Sequence, residues 1–206
     1  DKKVDGANVV DIESIECYGV EFPMVKAGEK AKDGYDMGNN VTSDPIIRKA
    51  LNIGMDRRKV VDTVLNGHGK PAYSVIDGTS FWNSEAIIED NKPEEAKKIL
   101  DENGWVVGKD GIREKDGIKA EFELYYPTQD QIRTNVAVEA ANQAKELGIN
   151  IKLVGSNWDE MITKSHEVAL LYAGGRHNPN QFFESHHPST AGKGWTNITF
   201  YNNPKV

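Results

Sequence analysis

The run Ala173-Gly174-Gly175-Arg176-His177-Asn178-Pro179, with His186-His187 a little further on, gathers the side chains of this chain best suited to hold a ligand. Two adjacent glycines let a ligand come close to the backbone. Arg176 can grip a carboxylate through two parallel hydrogen bonds. Neutral imidazoles at His177, His186 and His187 suit a transition metal. The run follows an apolar stretch, residues 168–172. In open α/β sheets ligands collect beyond the carboxyl ends of the strands. The candidate ligand contacts are therefore Gly174, Gly175, Arg176, His177 and Asn178. The candidate metal ligands are His177, His186 and His187. The competing reading is a surface loop whose histidines only hydrogen-bond.

Catalytic signatures do not appear. The sequence contains no GxSxG, no HExxH and no GxxxxGK[ST]. Gly67-His68-Gly69-Lys70 imitates a phosphate loop, but its first glycine is misplaced and Pro71 stands where Ser or Thr is needed. His166-Glu167 lacks the second histidine of a zinc helix and reads as an ordinary loop pair. Asp110 and Asp116 each precede a glycine, yet the terminal Glu of a calcium loop is missing, so a turn and hairpin is the reading. Cys17 stands alone, which excludes an internal disulfide and a cysteine zinc site. No resident cofactor is expected; a metal ion would enter only as a bound ligand. Trp105, Trp158 and Trp195 follow turns and read as packing anchors, and Trp82 as a partly exposed one.

The elements that must position these residues follow from periodicity. With 25 Lys and Arg against 32 Asp and Glu, the formal net charge of −7 excludes a basic nucleic-acid footprint. No stretch of about 18 apolar residues exists to span a membrane. Residues 7–25 read as extended and 26–42 as a loop. A helix starts at Thr42-Ser43-Asp44-Pro45, and Asp56 caps a second after a corner. Pro93 opens a third, stopped by Asn103-Gly104. A hairpin over 108–117 feeds an alternating strand, 118–126, with Ala120, Phe122, Leu124 and Tyr126 on one face. A long helix to Gly148, a strand at 149–154, a short helix at 158–164, the apolar strand and a last short helix at 180–185 complete the series. This order predicts one α/β unit with crossovers.

Several blocks also resemble a known family in order. The segment 44–61, with Asp44-Pro45, Arg48-Lys49-Ala50-Leu51 and Met55-Asp56-Arg57, is similar to the signature of the extracellular solute-binding protein family 5, the peptide- and nickel-binding components of ABC transporters. Pro93 to Leu100, Asn103-Gly104-Trp105, Leu147 to Ile151 and the closing Tyr201-Asn202-Asn203-Pro204 match later blocks. The resemblance implies one lobe of a type II periplasmic-binding-protein-like fold, a mixed sheet flanked by helices. It implies that residues 1–206 form most of the C-terminal lobe. Residues 1–25 would be inter-lobe hinge strands, 26–42 a loop and 43–206 the α/β lobe. An export signal and the second lobe are expected outside these residues.

The resemblance further implies extracytoplasmic solute capture without chemical change, with ABC permease subunits as partners, a monomeric state and lipoprotein anchoring. Peptide-binding members carry an Asp four residues before the proline matching Pro179; here that position is Gly175. This departure points away from ordinary oligopeptide binding, and His177 takes an aromatic site of the family; the ligand stays open between a peptide and a nickel or other metal chelate. Two other classes stay open: a hydrolase-like enzyme and a protein-interaction module.

Overall fold

The computed structural model describes residues 8, 10, 14, 16–172, 174 and 178–203. Gly175, Arg176 and His177 lie outside the described residues, as does most of the expected extended stretch before Cys17. The first strand, β1, is Val20–Glu21. Residues 26–42 are not only loop, because β2 (Glu29–Lys30) and β3 (Asp36–Met37) pair antiparallel there. Gly34, at φ +89°, turns the chain between them.

Helix α1 (Pro45–Gly54) begins where the side chain of Asp44 accepts the Ile46 N–H at 2.8 Å. Pro45 fits the first turn, where an N–H would have no partner. The buried stripe Ile47, Ala50, Leu51 and Ile53 turns inward. Asp56 accepts the Lys59 N–H at 2.8 Å and caps α2 (Arg57–Val64), as its position at the corner predicts. Helix α3 (Pro93–Glu102) packs on α1 through Ala96 and Leu100. Gly54 allows this approach: a Cβ there would stand 2.9 Å from Ala96 Cβ and 2.8 Å from Leu147 Cδ1.

The strand expected over 118–126 is two strands in different sheets. β4 (Val106–Val107), β5 (Arg113–Lys115) and β6 (Ile118–Lys119) form a small antiparallel sheet, turned at Asp116-Gly117, both at positive φ. Ala120 ends it by donating its N–H to Arg113 O at 2.7 Å. The chain then passes into β7 (Glu121–Pro127). Arg113 is buried and anchors the small sheet, donating to Leu147 O at 2.7 Å and Trp105 O at 2.6 Å.

Beyond β7 come α4 (Gln131–Glu146), β8 (Asn150–Ser156), α5 (Trp158–Lys164), β9 (Ala169–Leu171), α6 (Pro179–His186) and a 3-10 turn, Pro188–Thr190. The main sheet has the order β1-β9-β7-β8, with β7 parallel to both β8 and β9 and β1 antiparallel at the edge. Two crossovers through α4 and α5 thus bring the carboxyl ends of β7, β8 and β9 to one edge. Alternation along the strands divides the core. Phe122, Leu124, Ile151, Ala169 and Leu171 pack toward α1, α3 and α4; Tyr125 and Leu170 pack with Met161 of α5, Val168 and Ile198. This is the mixed sheet flanked by helices that the family resemblance implies, with the crossovers that the element order predicts. Among the described residues no helix is long and apolar enough to cross a membrane.

Candidate functional site

Helix N-termini and aromatic rings meet at the carboxyl edge of the three parallel strands. After β7, Asp130 caps α4 by accepting the Arg133 N–H at 3.0 Å. After β8, Asn157 caps α5 by accepting the Glu160 N–H at 3.0 Å. Short turns therefore place Arg133 and Trp158, in the first turns of their helices, side by side, with the guanidinium 5.7 Å from an indole ring centroid. Tyr172, just past β9, stacks on Trp195 with centroids 5.1 Å apart and ring planes at 12°. Trp158 meets both edge-on, at 6.1 Å to Tyr172 and 5.8 Å to Trp195. These three rings form one aromatic wall.

Trp158 is 40% exposed. It is not the packing anchor expected of it, whereas Trp105, 2% exposed with its Nε1 donating to Asp44 Oδ2 at 3.0 Å, is. Beside the wall a cavity of about 210 Å³ is lined by Tyr172, Trp195 and Thr196 and, from α6, by Gln181, Glu184 and Ser185. Sites for whole small molecules usually hold about 300–1,000 Å³, so this cavity suits part of a solute. Aromatic faces stack planar groups and attract cations, and Glu184 supplies the negative charge.

Of the sequence-predicted site residues, Gly174, Asn178, His186 and His187 are among those described, and they have separate roles. Gly174, two residues past Tyr172 in the chain, is half-buried. Asn178 caps α6, its side-chain oxygen accepting the Gln181 N–H at 3.1 Å. His186 stacks on Phe182 at 4.3 Å, and its Nδ1 lies 3.1 Å from Phe182 O. His187 stacks on Phe183 at 4.2 Å, and its Nδ1 accepts the Ser189 N–H at 3.2 Å. Buried Asn197 ties both to the following segment by donating to His187 O at 3.0 Å and His186 O at 3.3 Å. Among the described residues no group of three or more His, Cys, Asp or Glu is placed to hold a metal ion.

His166 is not an ordinary loop histidine. It is fully buried, with Nε2 2.9 Å from Asp33 Oδ2 and Nδ1 3.3 Å from Ser165 Oγ. Those are the residue types of a hydrolytic triad. Ser165 is 1% exposed and donates to Ile162 O at 2.9 Å, so the hydroxyl is turned into the fold and no substrate carbonyl can reach it. Burial alone would raise the Asp33 carboxyl, but hydrogen bonds from His166 and the Gly194 N–H outweigh it and hold the group below its ordinary value. The cluster is a clasp that joins the β2–β3 hairpin to the chain ahead of β9. Its signal in the sequence, a histidine next to a strand with an aspartate in a distant glycine-rich loop, is too common to single out.

Sheet order and crossovers, with a small recess at the carboxyl edge of the strands, describe an open α/β domain of the periplasmic-binding-protein type. Comparison with known proteins agrees. The pattern of the bacterial extracellular solute-binding proteins, family 5 (middle region), matches residues 16–194, and the chain belongs to that family. Protein XP55 of Streptomyces lividans is 37% identical over 168 residues, 81% of this chain and 31% of its own length. Among solved structures, NikZ from Campylobacter jejuni in complex with Ni(L-His) matches with a TM-score of 0.73 at 25% identity, over 91% of this chain and 38% of its own. The oligopeptide-binding protein AppA from Bacillus subtilis in complex with a nonapeptide matches with a TM-score of 0.70 at 23% identity, over 91% and 36%. The chain thus spans about a third of each of these proteins.

Proposed function

We propose that this chain supplies one wall of a two-lobed solute receptor that delivers its solute, chemically unchanged, to an ABC importer outside the cytoplasm. The observation that carries the reading is the aromatic wall of Trp158, Tyr172 and Trp195 with its recess at the carboxyl edge of β7, β8 and β9. Half a cleft holds a solute weakly; closure of a second wall over it buries the solute, and tighter binding in the closed state reports occupancy. The family relatives include nickel and peptide binders, and both ligand classes suit stacking on aromatic faces.

We take the solute to be a metal chelate rather than a free peptide, because Gly175 leaves no carboxylate at the place the family's peptide binders use for an amino group. Arg176 and His177 are then the first loop contacts, and His186 and His187 the reserve metal ligands. Calorimetry of the intact protein with Ni²⁺, Ni²⁺–L-histidine and short peptides tests this, in wild type, Trp158→Ala and His177→Ala. Tight binding of the nickel complex that weakens in both variants supports the reading. Tight peptide binding with no metal uptake and a silent His177→Ala refutes the chelate assignment, and unchanged binding in Trp158→Ala removes the wall.

A further inference from the structure

Arg133 occupies the third position of α4, at the edge that carries the aromatic wall. Its guanidinium carbon lies 5.1 Å from the ring centroid of Tyr18 and 5.7 Å from that of Trp158. One ring belongs to the segment leading into β1, the other to the wall. The charge is neutralised locally: Asp130 pairs with Nη1, and Glu16 Oε1 lies 3.1 Å from Nη2. One cation against two carboxylates leaves no excess positive charge to attract a solute anion. The side chain is only 16% exposed, and among the described residues Nε is buried without a hydrogen-bond partner. An orphaned buried donor is a cost that a native structure keeps for a reason. Here the guanidinium stands over two rings with its third nitrogen left unsatisfied.

We infer that Arg133 is a positioning residue: it fixes the pose of the Trp158 indole and ties that pose to Glu16 and Tyr18, so that the wall and the segment entering β1 move as one. The inference rests on the reading of Trp158 as a solute contact. Geometry makes it specific to arginine. A lysine would keep the charge, but a compact ammonium lacks the broad fork that stands over two rings while meeting Glu16 and Asp130 through separate nitrogens.

The test uses the intact protein labelled with 5-fluorotryptophan, with the Trp158 ¹⁹F resonance assigned by Trp158→Phe. Arg133→Lys and Arg133→Ala should both shift and broaden that resonance. Arg133→Lys should unfold within a few degrees of wild type, which separates pose from folding. Titration with Ni²⁺–L-histidine and with trialanine follows. Whichever probe binds wild type should bind Arg133→Lys about three- to tenfold more weakly, the scale of one partly buried cation–π contact. If Trp158→Ala binds as wild type does, the wall reading fails, while the resonance still decides on Arg133 by itself; it decides alone if neither probe binds. A Trp158 resonance unmoved in Arg133→Lys overturns the inference, as does unchanged binding in that variant where Trp158→Ala weakens it.

Discussion

Replacing Asp33 with alanine should destabilise the fold by about 2–4 kcal/mol, and most of that loss should arise at His166. Asp33 Oδ2 accepts from His166 Nε2 at 2.9 Å and from the Gly194 N–H at 3.0 Å, and Oδ1 accepts the Tyr35 N–H at 3.4 Å. Water can reach Gly194 and Tyr35, so losing those bonds costs about 1 kcal/mol in all. His166 has no exposure, and Phe200 stands edge-on to it at 5.2 Å. Its Nε2–H would be left buried without an acceptor, which costs about 1–3 kcal/mol. Asp33→Asn keeps an acceptor oxygen and should cost less. The pH dependence separates the two variants. The folded carboxyl lies below its ordinary 3.8, so its contribution is present above that value and is lost as the pH falls through the folded one. Wild type should therefore lose stability below about pH 4 more steeply than Asp33→Asn. Urea unfolding followed by circular dichroism measures both effects. In the double variant Asp33→Ala/His166→Leu both polar partners are gone, and the loss should fall short of the sum of the single losses by at least about 1 kcal/mol. Additive losses, or a cost of Asp33→Ala below about 0.5 kcal/mol, would refute the reasoning.

Asp56→Ala should cost about 1 kcal/mol in urea unfolding through the lost cap of α2, and leave solute affinity of the intact protein nearly unchanged; an affinity loss without a stability loss would reverse that assignment. Gly54→Ala should lower the thermal midpoint despite better helix propensity. The gain is about 1 kcal/mol, whereas overpacking against Leu147 and Ala96 costs about 1–3 kcal/mol. Arg113→Met should cost about 2–5 kcal/mol, since Leu147 O and Trp105 O both lose their buried donor, and amide exchange should rise across the small sheet first.

The helices were legible because their ends carry local chemistry. Asp44 with Pro45, Asp56 and Asn157 are caps that need only a neighbour two or three residues on, and each makes that bond. The break at Ala120 was not legible: the alternation from Ile118 to Tyr126 is unbroken, and only the bond to Arg113, fixed by the tertiary fold, ends one sheet and begins the next. The site divides in the same way. The candidate ligand contacts beyond the strand now seen as β9 come from an apolar run followed by glycines. That Trp158 is a wall residue could not be read from the sequence, because packing and stacking use the same side chain, and the difference lies in an exposure set by Tyr172 and Trp195. His166 was misread for the converse reason. Its partner Asp33 is 133 residues away in the chain, and no local pattern joins them.

The two faces of the main sheet are unequal, and that inequality explains how the wall can be polished by sequence change without loss of the fold. Toward α1, α3 and α4 the strands bury Phe122, Leu124, Ile151 and Leu171 in a core that includes Ile47, Leu51, Leu100 and Leu147. Toward α5 the buried set is small, and it grades through half-buried Tyr172 and Trp195 into exposed Trp158. Deleting large side chains from the first face removes dense packing and costs about 2–5 kcal/mol each. Truncating Trp158 forfeits only the part of its area that is covered, so its effect should fall on what the ring touches rather than on stability. The parallel crossovers place that thinly packed margin at the carboxyl ends of the strands. Side chains can then vary there while the opposite face, the capped helix corner and the Arg113 anchor hold the sheet in register.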